Sequence, residues 1–160
     1  MAAENYVAAE AILRESCDML AEMRERALLS SRAAELADAV SALGRFEEAN
    51  EWTRLSRENA ASDDMDAQTA WRAADAAAKA GVGLLTEAEE IARQAVGLAE
   101  ETDMLNRQGQ TLLVLAEVLL LQGRDEDALP PLQDALRIFE LKDNVLSADR
   151  TRSRLEELVT

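Results

Sequence analysis

The 160-residue chain contains no histidine and a single cysteine, and each shortage excludes chemistry. Without histidine, the usual neutral-pH acid-base group and the commonest transition-metal ligand are both missing, which removes most hydrolase and zinc-site readings. Cys17 has no second thiol to pair with, in agreement with a reducing cytoplasm. Its setting, Arg14-Glu-Ser-Cys-Asp18, lies within a helical stretch and offers no base, so it reads as a small buried hydrophobe and not as a nucleophile. Prolines number two and are adjacent, Pro130 and Pro131, and the six glycines are scattered, so no stretch reads as a linker or a domain boundary. No apolar run approaches bilayer length, since the densest, Thr111 to Leu121, is interrupted by Glu117. The amino terminus lacks a basic segment followed by an apolar core, so a membrane or secretory address is not expected and a cytoplasmic one is. Basic residues are also scarce: 17 against 32 acidic ones leave a net charge of -15, which repels nucleic-acid phosphates and anionic membrane surfaces. The same charge suits either a solvated, soluble surface or a groove for a basic partner.

What the chain does contain is alanine, about a fifth of all residues, with leucine at most other apolar positions and only 3% aromatics. That mixture favours helices over strands. One short phrase recurs: Gly44-Arg-Phe-Glu-Glu-Ala49, Gly83-Leu-Leu-Thr-Glu-Ala88 and Gly123-Arg-Asp-Glu-Asp-Ala128, its glycines 39 and 40 residues apart. Each glycine follows a helical pattern and suits a left-handed carboxyl-terminal cap, and the acids behind it favour the positive end of a following helix. Thr86 and Glu89 have capping-box spacing. The spacing predicts helices over 5-24, 27-43, 46-60, 65-80, 86-101, 104-122, 126-141 and 145-158. The tandem prolines predict a loosely wound turn over 125-129 and a regular helix only from Leu132 to Leu141, with Leu132, Ala135, Leu136 and Phe139 against Leu112, Leu115 and Leu119.

This phrase resembles the tetratricopeptide repeat (TPR). With each glycine at the family's inter-helix turn, the small position of the first helix falls on Ala37, Ala76 and Ala116. Those of the second helix fall on Ala49 and Ser56, Ala88 and Ala95, and Ala128 and Ala135. The bulky position after the turn is Phe46, Leu85 and then Asp125, a departure. Tyr6, Ala9, Leu13 and Ser16 repeat the second-helix pattern, so the chain reads as beginning inside a repeat, as a piece of a longer protein would. The resemblance implies an all-α, right-handed α-α superhelix of about eight antiparallel helices. It divides as a half-repeat 1-25, repeats 26-64, 65-103 and 104-143, and a terminal helix 144-160. The period exceeds the usual 34 or so of the family. Together with Trp71-Arg72, the run from Glu87 to Asp103 and Leu115-Ala-Glu-Val-Leu119, it is similar to the carboxyl-terminal repeats of bacterial signalling proteins that join a nucleotide cyclase to an AAA-type ATPase. No phosphate-loop motif accompanies it.

Paired acids such as Asp63 and Asp64, or Glu89 and Glu90, fit helix starts and exposed helix faces, and no calcium-loop pattern is present. No catalytic residue, metal site or cofactor is therefore expected, and the chain does not read as an enzyme. The resemblance instead implies a binding module whose first helices line a groove at Ser31, Ala34 and Asp38; Ala70, Ala73 and Ala77; and Gln110, Leu113 and Glu117. A protein or peptide partner, preferably basic, would suit it. Homodimerisation through the terminal helices is the alternative, and small-molecule sensing a third. One irregularity stands out. The core stripe of the first helix reads Ala33, Leu36, Ala37 and Val40 in the first repeat, and Leu112, Leu115, Ala116 and Leu119 in the third, but Arg72, Asp75, Ala76 and Lys79 in the second. Three buried charges are costly unless paired or hydrated. Either the helix rotates to turn Ala70, Ala73, Ala74 and Ala77 inward and uses Gly81 as its cap, leaving Val82 and Gly83 in a longer turn, or Trp71, Arg72 and Asp75 line the groove and read a ligand.

Overall fold

The structure, a computed structural model, describes residues 2–159. Eight helices run through them: α1 (Ala2–Met23), α2 (Arg26–Ala42), α3 (Phe46–Asn59), α4 (Met65–Gly81), α5 (Leu85–Glu100), α6 (Leu105–Leu121), α7 (Asp125–Leu141) and α8 (Val145–Val159). No strand occurs among the described residues. The expected helices are all present, with ends that differ by three residues or fewer.

Five tight turns share one geometry. After α2, α4 and α6 the chain enters the left-handed region at Gly44 (φ 77), Gly83 (φ 85) and Gly123 (φ 72), and the next amide donates back to the carbonyl five residues earlier. These bonds are Arg45 N to Val40 O at 3.1 Å, Leu84 N to Lys79 O at 3.0 Å and Arg124 N to Leu119 O at 3.0 Å. The turns after α1 and α7 repeat this with Arg24 (φ 58) and Asp143 (φ 52), which a search for glycine cannot find. Gly81 does not end α4 in a cap; it is the helix's last residue, and Gly83 takes the left-handed position. Thr86 forms no capping box. Helix α5 already begins at Leu85, and Glu89 bonds Arg93 and Arg124 instead. True side-chain caps occur where the connections lack glycine, as Asp64 accepts from Ala67 N at 3.0 Å ahead of α4.

Successive helices pack as hairpins, and each position assigned to a helix crossing is closed. Ala37, Ala76, Ala116, Ala49, Ser56, Ala88, Ala95, Ala128 and Ala135 are all buried. Ser56, the one hydroxyl among them, is satisfied by reciprocity: its Oγ donates to Ser30 O at 2.7 Å, while Ser30 Oγ donates to Ser56 O at 2.9 Å. First helices of adjacent repeats also touch, α2 with α4 and α4 with α6, whereas no substantial contact joins α3 to α5 or α5 to α7. First helices therefore form the inner layer and second helices splay apart on the outer one.

The loose turn expected at 125-129 is not found, because α7 is helical from Asp125 through both prolines. Pro130 and Pro131 leave the carbonyls of Glu126 and Asp127 without their helical donors. Both of those residues are exposed, where solvent can satisfy an unpaired acceptor, and proline's own φ is already helical. The packing expected beyond the prolines is present. Leu132 joins Leu115 and Leu119, and Phe139 with Leu136 joins Leu112.

Candidate functional site

Helix α4 has two faces, and the expected site residues divide between them. On the inner face, Ala70 and Ala73 are buried, as is Ala34 of α2. Ala34 and Ala70 share a core cluster with Ala37 and Ala74, so they bring α2 and α4 together and leave little side-chain surface for a ligand. Ala77 and Ser31 are half-buried, the latter with its Oγ donating to Ala27 O at 3.3 Å. Asp38 and Gln110 are exposed, and Leu113 and Glu117 are half-buried. Glu117 receives Arg154 of α8 through two bonds, at 2.7 and 3.0 Å, beside a cleft of about 370 Å³ that Leu113, Arg150, Ser153 and Glu157 help to line. Protein around Asp38 pushes its carboxyl upward, to about 7, while Arg107 pulls it down. Asp38 therefore titrates around neutral pH, and a cation placed beside it would hold it as the carboxylate.

Trp71, Arg72 and Asp75 lie on the opposite, outer face of α4, about half a helical turn from Ala70, Ala73 and Ala77. They lie away from the inner groove, while of the alanine stripe Ala70, Ala73 and Ala74 are buried and Ala77 is half-buried. The charges that appeared prohibitive in the core stripe are met locally. Asp75, its side chain 13% exposed, accepts from Lys79 Nζ at 2.9 Å and from Thr53 Oγ1 at 3.0 Å. Arg72 donates to the carbonyl and side-chain oxygens of Gln68, each at 2.7 Å. Its guanidinium lies 4.2 Å from the Trp71 ring centre, and that of Arg57 lies 5.3 Å from the same centre. Trp71 Nε1 donates to Gln68 Oε1 at 3.2 Å, which locks the ring edge.

Leu36 and Val40, and Leu115 and Leu119, stand at the corresponding places in the flanking repeats, whereas the middle repeat carries polar side chains there, beneath the space between the splayed α3 and α5. That space is a cleft of about 520 Å³, floored by Gln68, Trp71, Arg72, Asp75 and Lys79 and walled by Arg57 of α3 and by Ile91 and Gln94 of α5. Sequence periodicity marks the floor. It gives no signal for Arg57, Ile91 or Gln94, which arrive from neighbouring helices. The lone thiol plays no part here: Cys17 is buried between α1 and α2, and that burial pushes it up to about 11.

The fold matches solved structures. BtubC (BKLC) from P. vanneervenii superposes with a TM-score of 0.70 at 20% sequence identity, over 99% of this chain. The match spans 66% of the BtubC chain, just under two thirds of its length. A TPR-like protein (ct2138) from Chlorobium tepidum tls superposes with a TM-score of 0.64 at 18% identity, over 85% of this chain and 98% of that one. No family model matches the chain, and neither does any curated protein. Among solved structures, then, the likeness at these identities is one of fold: this chain is a TPR-like helical repeat.

Proposed function

We propose that the chain is a protein-interaction module and not an enzyme, and that it takes an extended or helical segment of a partner along the face of its first helices. The observation that carries this reading is the continuous inner layer of α2, α4 and α6, on which Asp38 and Gln110 stay exposed between half-buried Ser31, Ala77 and Leu113. A basic segment suits the net charge of -15, and Asp38 is an accessible anchor for Lys or Arg. The TPR-like architecture supports the class of function, and the resemblance read from the repeat period, Trp71-Arg72, residues 87-103 and residues 115-119 favours a regulatory setting. A peptide array probed with the purified chain tests it. Basic peptides are expected to be retained, and to bind severalfold more weakly to Asp38→Asn. Retention of only anionic peptides or nucleic acid overturns the reading.

A second reading, self-assembly, has its own observation. Ile12 (69% exposed), Met19 and Met23 form an apolar stripe on α1, and Leu141, Val145 and Leu146 (80% exposed) lie together at the last turn. Light scattering separates the two: a mass that stays monomeric as concentration rises removes self-assembly.

A further inference from the structure

The outer cleft over Trp71 differs from the spaces between α1 and α3 and between α5 and α7 in the pairing of its arginines. Between α1 and α3 a similar stack places Arg14 5.3 Å from the Trp52 ring centre, but Arg14 is neutralised by Glu10 and Glu48. Between α5 and α7, Arg137 is paired with Asp134 at 2.9 Å. In the middle cleft neither Arg57 nor Arg72 pairs with a carboxylate among the described residues, and the one acid present, Asp75, is held by Lys79. Arg72 Nε is buried and has no hydrogen-bond partner. Two like charges thus face one indole ring in a chain that carries an excess of fifteen negative charges. Burial and the proximity of Arg57 both lower the Arg72 pKa, the direction expected where a counter-ion is wanting.

We infer that this cleft is a binding site for a small organic anion, whose carboxylate or phosphate oxygens are received by Arg57 and Arg72 while Trp71 and Ile91 contact its carbon skeleton. The size, about 520 Å³, is that of a small-molecule site. Guanidinium groups supply the forked donors that such oxygens accept. The surrounding acidity acts as a filter. A long polyanion would run beyond the cleft into repulsion from the rest of the surface, whereas a compact one fits within about a Debye length of the two arginines. Carboxylate and phosphate share this chemistry, and the probes distinguish them.

The test is calorimetric titration of the full chain with citrate, inorganic phosphate and adenosine monophosphate at low ionic strength, with Trp71 fluorescence followed in parallel in a Trp52→Phe background. At least one probe is expected to saturate a single site and to perturb Trp71. Arg57→Gln and Arg72→Gln are each expected to weaken it by about tenfold or more, the loss typical of one charged hydrogen-bond partner, while Arg137→Gln leaves it unchanged. Arg57 is exposed, so its variant keeps the fold even if Arg72→Gln does not. Absence of saturable binding for all three probes, binding indifferent to Arg57→Gln, or polyglutamate binding as tightly as citrate overturns the inference. None of these outcomes bears on basic peptides at Asp38, so the two readings fail separately.

Discussion

At the scale of the residue, glycine and alanine act by what they leave out. Gly109 occupies the place of Ser30 and Thr69 in the other repeats, and the room it leaves is taken by the ring of Phe139, which is fully buried. A Cβ there would lie 2.7 Å from Phe139 Cε1. In an open helix, replacing glycine by alanine gains about 1 kcal/mol, but overpacking a filled core costs about 1–3 kcal/mol. Gly109→Ala is therefore expected to destabilise the chain in urea unfolding, and an unchanged midpoint would show that the ring can withdraw. Arg24 presents the reverse case, a side chain in the left-handed region where three other turns use glycine. That conformation costs about 1 kcal/mol for a residue with a Cβ, so Arg24→Gly is expected to raise the unfolding midpoint by a comparable amount. The small residues at the crossings were legible in the sequence because the repeat register names them. The strained turn at Arg24 was not, because arginine carries no local sign of a positive φ.

At the scale of the element, α7 shows a helix held by its neighbours against its own composition. Its first turn carries Asp125, Glu126 and Asp127 at the positive end of the helix dipole, and its buried face carries Ala128, Leu132, Ala135 and Phe139. Burying Leu132 and Phe139 fully is worth about 1.5–3 kcal/mol for each side chain, comparable to the roughly 3 kcal/mol that a proline costs in a helix interior. Packing thus decides that the turn stays helical, which local rules alone would deny. Pro130 is exposed, so Pro130→Ala restores a hydrogen bond to Glu126 and disturbs no contact in the core. Thermal melts are expected to show a gain of about 2 kcal/mol, the helix penalty less the rigidity that proline lends to the unfolded chain. A loss would show that the prolines hold the turn's geometry.

At the scale of the whole molecule, the repeats are joined by a shared alanine-rich core and by ion pairs that cross between helices. These include Arg45 with Glu10, Arg107 with Asp66, Arg124 with Glu89, and Arg154 with Glu117. Pairs of this exposure are screened by solvent and contribute little, whereas the excess of negative charge repels across the entire surface. The long-range term is the more sensitive to screening, since the Debye length falls from about 30 Å at 0.01 M salt to about 8 Å at 0.15 M. The melting temperature is therefore expected to rise over that interval, and a fall would mean that the cross-helix pairs outweigh the repulsion.

The sequence by itself determined the helices, the three glycine turns and the small residues at the crossings, because each follows from a local property: a 3.6-residue period, a φ that glycine tolerates, a side chain small enough for close approach. It also marked α4 as irregular, since three charges interrupt a stripe that is apolar in both flanking repeats. Tertiary structure alone decided how that irregularity was resolved. Thr53 and Arg57 come from α3, and Ile91 and Gln94 from α5, to meet Trp71, Arg72 and Asp75 on the outer face of α4. Whether a charge in a core stripe forces a helix to rotate, or is met by a partner beside an open cleft, depends on side chains distant in the chain. Their arrival is governed by how far the second helices splay, a property of packing between repeats that no single segment contains.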